Sequence, residues 1–332
     1  MSESRTALVT GAAGFIGSHM VDLLVEKGFR VRGVDDLSSG RYQNVAHLEV
    51  EPSFEFTQAD LRDVGADGPL FRGVDFVFHF AGIGDIVPSI ERPIDYMSIN
   101  VMATVSALEA ARQANVQKFV YAASSSCYGL ARQVPTTESA PIDEQYPYAL
   151  SKYLGEQSVL HWGQVYGLPV NSVRIFNAYG PRSRTTGAYG AVFGVFLAQK
   201  LAGKPYTVVG NGNQKRDFIF VTDLARAFLA AAETDRTGEV YNVGAGDPQS
   251  VNRLVELLGG EVTYLPKRPG EPDSTWAAID KIKSQLGWQP EVSFEEGVGV
   301  MLANIDYWRE APLWDPQSIQ QATSTWFKTL AK

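Results

Sequence analysis

A single cysteine, Cys127, stands in a chain of 332 residues, so no intrachain disulfide can staple it. Histidine is nearly as scarce: His19, His47, His79 and His161 are scattered without the spacing of a metal centre, and no metal is expected. No run approaches the roughly 18 uninterrupted apolar residues of a membrane-spanning helix. The start, Met1-Ser2-Glu3-Ser4-Arg5, leads into a short apolar run without the hydrophobic stretch of a signal peptide, so the expectation is a cytoplasmic protein with no membrane partner. Basic residues are outnumbered, 29 Lys and Arg against 37 Asp and Glu, and the net charge of -8 removes the electrostatic footprint of nucleic-acid binding. A phosphate-bearing ligand must then be held by local cations or backbone N–H groups. What remains is ordinary globular material, 45% hydrophobic and 20% charged, enough for one large domain or two smaller ones.

Up to about residue 176, short β-rich runs alternate with longer amphipathic stretches, the pattern of a parallel sheet covered by helices on both faces. The spacing predicts strands at residues 6–10, 30–34, 54–57, 75–80, 119–123 and 170–175, and helices at 15–27, 99–114 and 148–166. Beyond residue 176 the rhythm breaks into loops rich in Gly, Pro, Arg and Asn, which reads as a smaller lobe over residues 177–332. Two later runs, 217–221 and 239–243, have strand composition and are candidates to rejoin the large sheet.

The first predicted strand runs into Gly11-Ala12-Ala13-Gly14-Phe15-Ile16-Gly17, where helical spacing begins. A glycine-rich turn between a strand and a helix leaves N–H groups and the positive end of the helix dipole facing a pyrophosphate. Gly11 serves the tight turn, Gly14 the close approach of the ligand and Gly17 the close packing of helix and strand; Phe15 and Ile16 complete the helix opening. A lone glycine triplet is weak evidence, but the next strand ends at Asp35, 18 residues after Gly17. A carboxylate there accepts bonds from both ribose hydroxyls and repels a 2′-phosphate, favouring NAD over NADP. Arg32 and Arg41 stand nearby and could favour the extra phosphate. Asp60-Leu61, past the third strand, is a candidate border of the adenine. These features make residues 1–176 a Rossmann-type, doubly wound NAD-binding domain, with 177–332 as an α+β lobe for the second ligand.

Tyr148 and Lys152 lie four residues apart and share a helix face. About half such a pair is expected by chance in this composition. Position makes it informative: the cluster Ser124-Ser125-Ser126 follows the fifth predicted strand, at the end where open α/β sheets bind ligands. Bringing a phenol from about pH 10 to about 7 requires roughly 4 kcal/mol, and cations such as Lys152 and a bound nicotinamide can supply it.

At these residues the chain resembles the extended short-chain dehydrogenase/reductases, within them the NAD-dependent sugar-nucleotide epimerases and dehydratases. The likeness continues through His79-Phe80-Ala81-Gly82, Asn100, Ser124 ahead of Tyr128-Gly129, the stretch from Arg174 to Arg182, Gln214-Lys215-Arg216-Asp217-Phe218 and Arg268-Pro269-Gly270-Glu271. The resemblance implies tightly bound NAD touching Ala81, Gly82 and Asn100, with Tyr148 as base, Lys152 holding the nicotinamide ribose and Ser124 bonding the reacting sugar oxygen. It further places Ser126 beside the substrate and gives the nucleotide diphosphate to Asn177, Arg216 and Arg268. Arginine suits that task through its bidentate fork. A homodimer through the helices at 99–114 and 148–166 is also implied, with Ala103, Ala107, Ala110 and Ala111 allowing close approach. The aromatics of the segment 308–332 are read as a cap on the smaller lobe.

The family's 4,6-dehydratases carry carboxyl groups where Ser125 and Ser126 stand, and its decarboxylases carry one at Ser126; Cys127 is out of place for a 3,5-epimerase acid. A UDP-hexose 4-epimerase working through a 4-keto intermediate is the reading that remains. Thr275 stands where some epimerases have a bulky Tyr, so N-acetylated sugars are expected to fit beside glucose and galactose. The alternatives are a dehydratase, reductase or epimerase acting on another nucleotide sugar, and a non-catalytic NAD-binding protein.

Overall fold

The structure is a computed structural model that describes residues 5–65, 68–183, 192–268 and 271–330; Pro269 and Gly270 of the arginine motif lie outside them. Seven parallel strands form the central sheet: Thr6–Thr10 (β1), Arg30–Asp35 (β2), Phe54–Gln58 (β3), Phe76–His79 (β4), Lys118–Ser124 (β5), Val170–Ile175 (β6) and Glu239–Val243 (β7). Their order is β7-β6-β5-β4-β1-β2-β3, so the strand order reverses between β1 and β4 and a crevice opens there at the strand ends. All seven residues of β5 and all four of β4 are buried, because helices cover both faces.

On one face the helices Phe15–Glu26 and Val221–Glu233 close a core with Met20, Leu24, Phe78 and Phe228. On the other, Ala103–Gln113 and Pro147–Tyr166 close a second with Leu108, Phe119, Tyr121 and Val159. Residues 98–102 make one turn of π-helix rather than the start of a regular helix. The run 239–243 joins the large sheet as its edge strand, while the run 217–221 does not. Its Phe218–Phe220 pairs instead with Asn177–Tyr179, outside that sheet. A third core, with Tyr179, Phe193, Phe196, Phe218, Phe294 and Trp308, holds the second lobe together.

The strongest polar tie between helix and sheet is buried. Glu156, one turn beyond Lys152 on the helix Pro147–Tyr166, takes a bidentate contact from Arg174 of β6 at 2.6 and 3.0 Å and a bond from Ser172 at 2.9 Å. Arg174 also donates to the Tyr128 hydroxyl at 2.7 Å, and Tyr128 donates to Asn242 of β7 at 2.8 Å. One network therefore fixes the helix against two strands and the turn after β5. Removing one member of such a pair leaves its partner charged and buried, so Glu156→Ala is expected to lower stability by roughly 3–5 kcal/mol. A urea unfolding curve with an unmoved midpoint would refute this.

Candidate active site

The glycine turn is built from backbone that tolerates no side chain. Gly11 has φ +66°, and a Cβ there would stand 2.8 Å from the Ala81 nitrogen at the end of β4. A Cβ on Gly17 would stand 2.1 Å from the Gly11 carbonyl oxygen. Gly17 thus packs against the turn itself. The helix Phe15–Glu26 follows Gly14, which makes no side-chain cap, so its first amides, those of Phe15 and Ile16 among them, are left without a capping side chain.

At the end of β2, Asp35 is buried and accepts bonds from the amides of Ala13 (3.0 Å) and Leu37 (2.8 Å). Burial pushes its carboxyl up, and those amides pull it back. Gly40 passes so close that a Cβ would lie 2.7 Å from an Asp35 oxygen. The two arginines that could have welcomed a 2′-phosphate are occupied elsewhere. Arg32 donates to the carbonyls of Leu70 (3.1 Å) and Arg72 (2.7 Å), and Arg41 lies 5.3 Å over the Tyr307 ring. Asp60 is gripped by the guanidinium of Arg62, which holds its carboxyl below the usual range, while Leu61 is buried in the core.

Beyond β4, the Ala81 amide donates to Thr10 (3.1 Å). Asn100 is fully buried with both amide hydrogens used, on the Ile83 carbonyl and Ser151 at 2.9 Å each, and its oxygen accepts from the Ile83 amide at 2.8 Å. Instead of offering a free amide to a cofactor, Asn100 fixes the loop that carries Gly82. A Cβ on Gly82 would lie 2.9 Å from the Asn100 oxygen and 3.7 Å from the Lys152 nitrogen, which puts this loop beside Lys152.

Tyr148 donates to Ser124 at 3.4 Å, and the Ser126 amide donates to the same serine oxygen at 3.2 Å. Burial pushes the Tyr148 phenol above its ordinary value, the bond to Ser124 opposes this, and Asp85 adds to the rise. Lys152 is not among the groups that set this direction in the chain by itself. Lys152 is itself deeply placed: burial brings its ammonium down to about 7, with Glu156 opposing, and it sits 4.5 Å over the Tyr121 ring. Cys127 is buried in the main core, where its thiol is pushed up to about 12, so it is packing material rather than an acid for chemistry.

A cleft of about 510 Å³ joins Ser126 and Tyr148 to Asn177, Arg216, Arg268 and Thr275. Six residues far apart in sequence are thus brought to one space. At its far end Glu271 pairs with Arg216 at 2.8 Å and lies 3.9 Å from Arg268, so the two guanidiniums converge on one point. Thr275 donates to the Asn177 side chain at 2.7 Å, tying the arginine segment to the strand Asn177–Tyr179. Trp326 departs from the expectation. It lies outside the second-lobe core that holds Trp308 and instead walls this cleft, with Arg268 stacked 5.7 Å from its ring and Tyr146 6.4 Å away. Nothing in the local sequence marks it, because its contacts reach back more than 50 residues.

The alanines expected at a helix-pairing surface are turned inward as well. Ala103, Ala107, Ala110 and Ala111 are all buried against the chain's own sheet, while Met102, Leu150 and Leu154 face outward. Their small size serves close packing of helix on sheet.

The family model for GDP-mannose 4,6-dehydratase matches residues 8–301. The UDP-glucose 4-epimerase of Mycolicibacterium smegmatis is 36% identical over 299 residues, covering 88% of this chain and 95% of that protein. Among solved structures, the UDP-N-acetylglucosamine 4-epimerase of Methanobrevibacter ruminantium, in complex with UDP-N-acetylmuramic acid, has a TM-score of 0.84 at 31% identity, covering 91% of this chain and 99% of that one. The UDP-glucuronic acid 4-epimerase of Bacillus cereus, with UDP-glucuronic acid and NAD, gives the same TM-score, identity and coverage. The glycine geometry yields a direct test: Gly17→Ala must push the Gly11 carbonyl aside and is expected to cut the NAD carried through purification by about tenfold or more. Full NAD content, measured by enzymatic cycling after heat release, would contradict it.

Proposed function

Because the chain belongs to the GDP-mannose 4,6-dehydratase family of extended short-chain dehydrogenase/reductases, we propose that it is an NAD-dependent UDP-hexose 4-epimerase with Tyr148 as its base. The observation that carries this reading is the cleft itself, which has the Tyr148–Ser124 pair at one end and the converging Arg216 and Arg268 at the other. A diphosphate held by the arginines lays its sugar toward the phenol. The turn at Gly11, Gly14 and Gly17, the carboxylate of Asp35 and the loop of Ala81 and Gly82 have the donors, the acceptor and the clearance that a dinucleotide requires.

Tyr148 takes the proton of the sugar 4-hydroxyl, and Ser124 holds that oxygen in line. NAD bound there would supply a reversible hydride acceptor, so that no external oxidant is consumed, and its positive ring would add to the charge of Lys152 beside the phenol. Lys152, next to Gly82, holds the ribose. Ser125 and Ser126 bring no carboxyl group to the site, which separates this chain from the dehydratase chemistry in the family's description. Thr275 is small and its hydroxyl is committed to Asn177, which leaves space beside the sugar for an N-acetyl group.

Incubation of the purified protein, without added cofactor, with UDP-Glc, UDP-Gal, UDP-GlcNAc and UDP-GalNAc, read by proton NMR, is expected to interconvert at least one pair. Tyr148→Phe is expected to lose about 10²–10⁴ of the rate while keeping its NAD. No conversion of any of the four, even with NAD supplied, would redirect the reading to another nucleotide sugar.

The same reading makes the enzyme a cytoplasmic homodimer. Among the described residues no helix is long and apolar enough to cross a membrane. Met102, in the turn that leads into Ala103–Gln113, and Leu150 and Leu154, on the helix Pro147–Tyr166 packed beside it, are 57%, 37% and 38% exposed. Leu154→Glu is expected to shift the protein from dimer to monomer in sedimentation velocity; an unchanged dimer would remove this face from the interface.

A further inference from the structure

The helix Ser324–Leu330 lies far from the glycine turn in sequence, yet it reaches across to the first lobe. It packs on the helix Ile86–Glu91, and Thr325 donates to Glu91 at 2.9 Å. Both helices border the cleft, the one through Trp326 and the other through Ile86. Trp326 is 8% exposed, belongs to none of the three cores and lines the cleft.

The aromatic side chains along this wall follow one another in order. The Arg268 guanidinium lies 5.7 Å from the Trp326 ring, the Trp326 ring 6.4 Å from that of Tyr146, and Tyr146 stacks on Tyr148 at 6.4 Å with planes 7° apart. Arg268, Trp326, Tyr146 and Tyr148 all line the same cleft, so a row of aromatic faces lies between a cation and the proposed base. The hydrogens on the apolar face of a pyranose carry partial positive charge, and they match the negative face of an aromatic ring.

We propose that Trp326, with Tyr146 beside it, is the platform on which the hexose of the nucleotide sugar lies, which makes the C-terminal helix a specificity-determining part of the active site. This rests on the reading of the cleft as a nucleotide-sugar site. An aromatic wall contributes through area and shape and needs no fixed hydrogen bond to the sugar, so it can hold a 4-keto sugar in either of two orientations. A hydrogen-bonding wall would instead favour one epimer and leave the other face unpaired.

Isothermal titration of the NAD-loaded protein with UDP and with the UDP-hexose that the wild type converts separates the possibilities. Trp326→Ala is expected to weaken the UDP-hexose by about tenfold and to leave UDP unchanged, while Trp326→Phe keeps most of the affinity. NAD content and unfolding midpoint, measured on the same samples, confirm that each variant is folded. Equal weakening of UDP and UDP-hexose would overturn the proposal, because the tryptophan would then act on Arg268 and the nucleotide end. Unchanged affinity for both would overturn it as well. A wild-type protein that binds UDP but gains nothing from any hexose would instead bring down the reading of the cleft, and this proposal with it.

Discussion

The position of the helix Pro147–Tyr166 depends on the buried contact between Glu156 and Arg174. Residues 148, 152 and 156 follow one another at helical spacing, so a single face carries the proposed base, the proposed ribose ligand and the anchor. The anchor reaches β6 through Arg174 and β7 through Tyr128 and Asn242, and it holds the turn after β5 where Ser124 stands. Apolar packing alone would let the helix slide by a fraction of an ångström on the sheet. A bidentate pair in a water-free setting has directional bonds and a steep penalty for separation, so it sets the register in which Tyr148 meets Ser124.

Charge is distributed to the same end. The molecule carries a net -8, and the described cleft concentrates its cations at Arg216 and Arg268. Glu271 draws both guanidiniums toward its carboxylate, and Thr275 ties the segment to Asn177, so the proposed diphosphate end is organised by the chain itself. At the other end, burial raises the Tyr148 phenol and lowers the Lys152 ammonium.

Much of this was legible from local pattern. The glycine turn, the acid at the end of β2 and the Tyr148/Lys152 pair each depend on residues within one or two elements, where backbone geometry dictates the spacing. The six main strands up to residue 175 lie within a residue or two of where apolar runs put them. Arg216, Arg268, Asn177 and Thr275 were reached only through resemblance to a family, since nothing local distinguishes a phosphate-binding arginine from a surface ion pair. The alanines of Ala103–Gln113 misled because a small side chain permits close approach on either side of a helix, and the pattern does not say which neighbour arrives. Trp326 was placed in the wrong wall for a related reason: an amphipathic aromatic segment has to bury its rings, but the surface that receives them is chosen by the whole fold.

The amino-acid sequence by itself determined the class of fold, the glycine turn and the helical spacing that puts Tyr148 and Lys152 on one face, because these follow from hydrogen-bonding geometry and periodicity over a few residues. The tertiary structure decided the rest: that Asn100 fixes a loop, that Arg32 and Arg41 are committed elsewhere, that Lys152 is buried over the Tyr121 ring and that a C-terminal tryptophan walls the cleft. Those outcomes depend on desolvation and on contacts between residues tens to hundreds of positions apart, and both exist only once the chain has closed on itself.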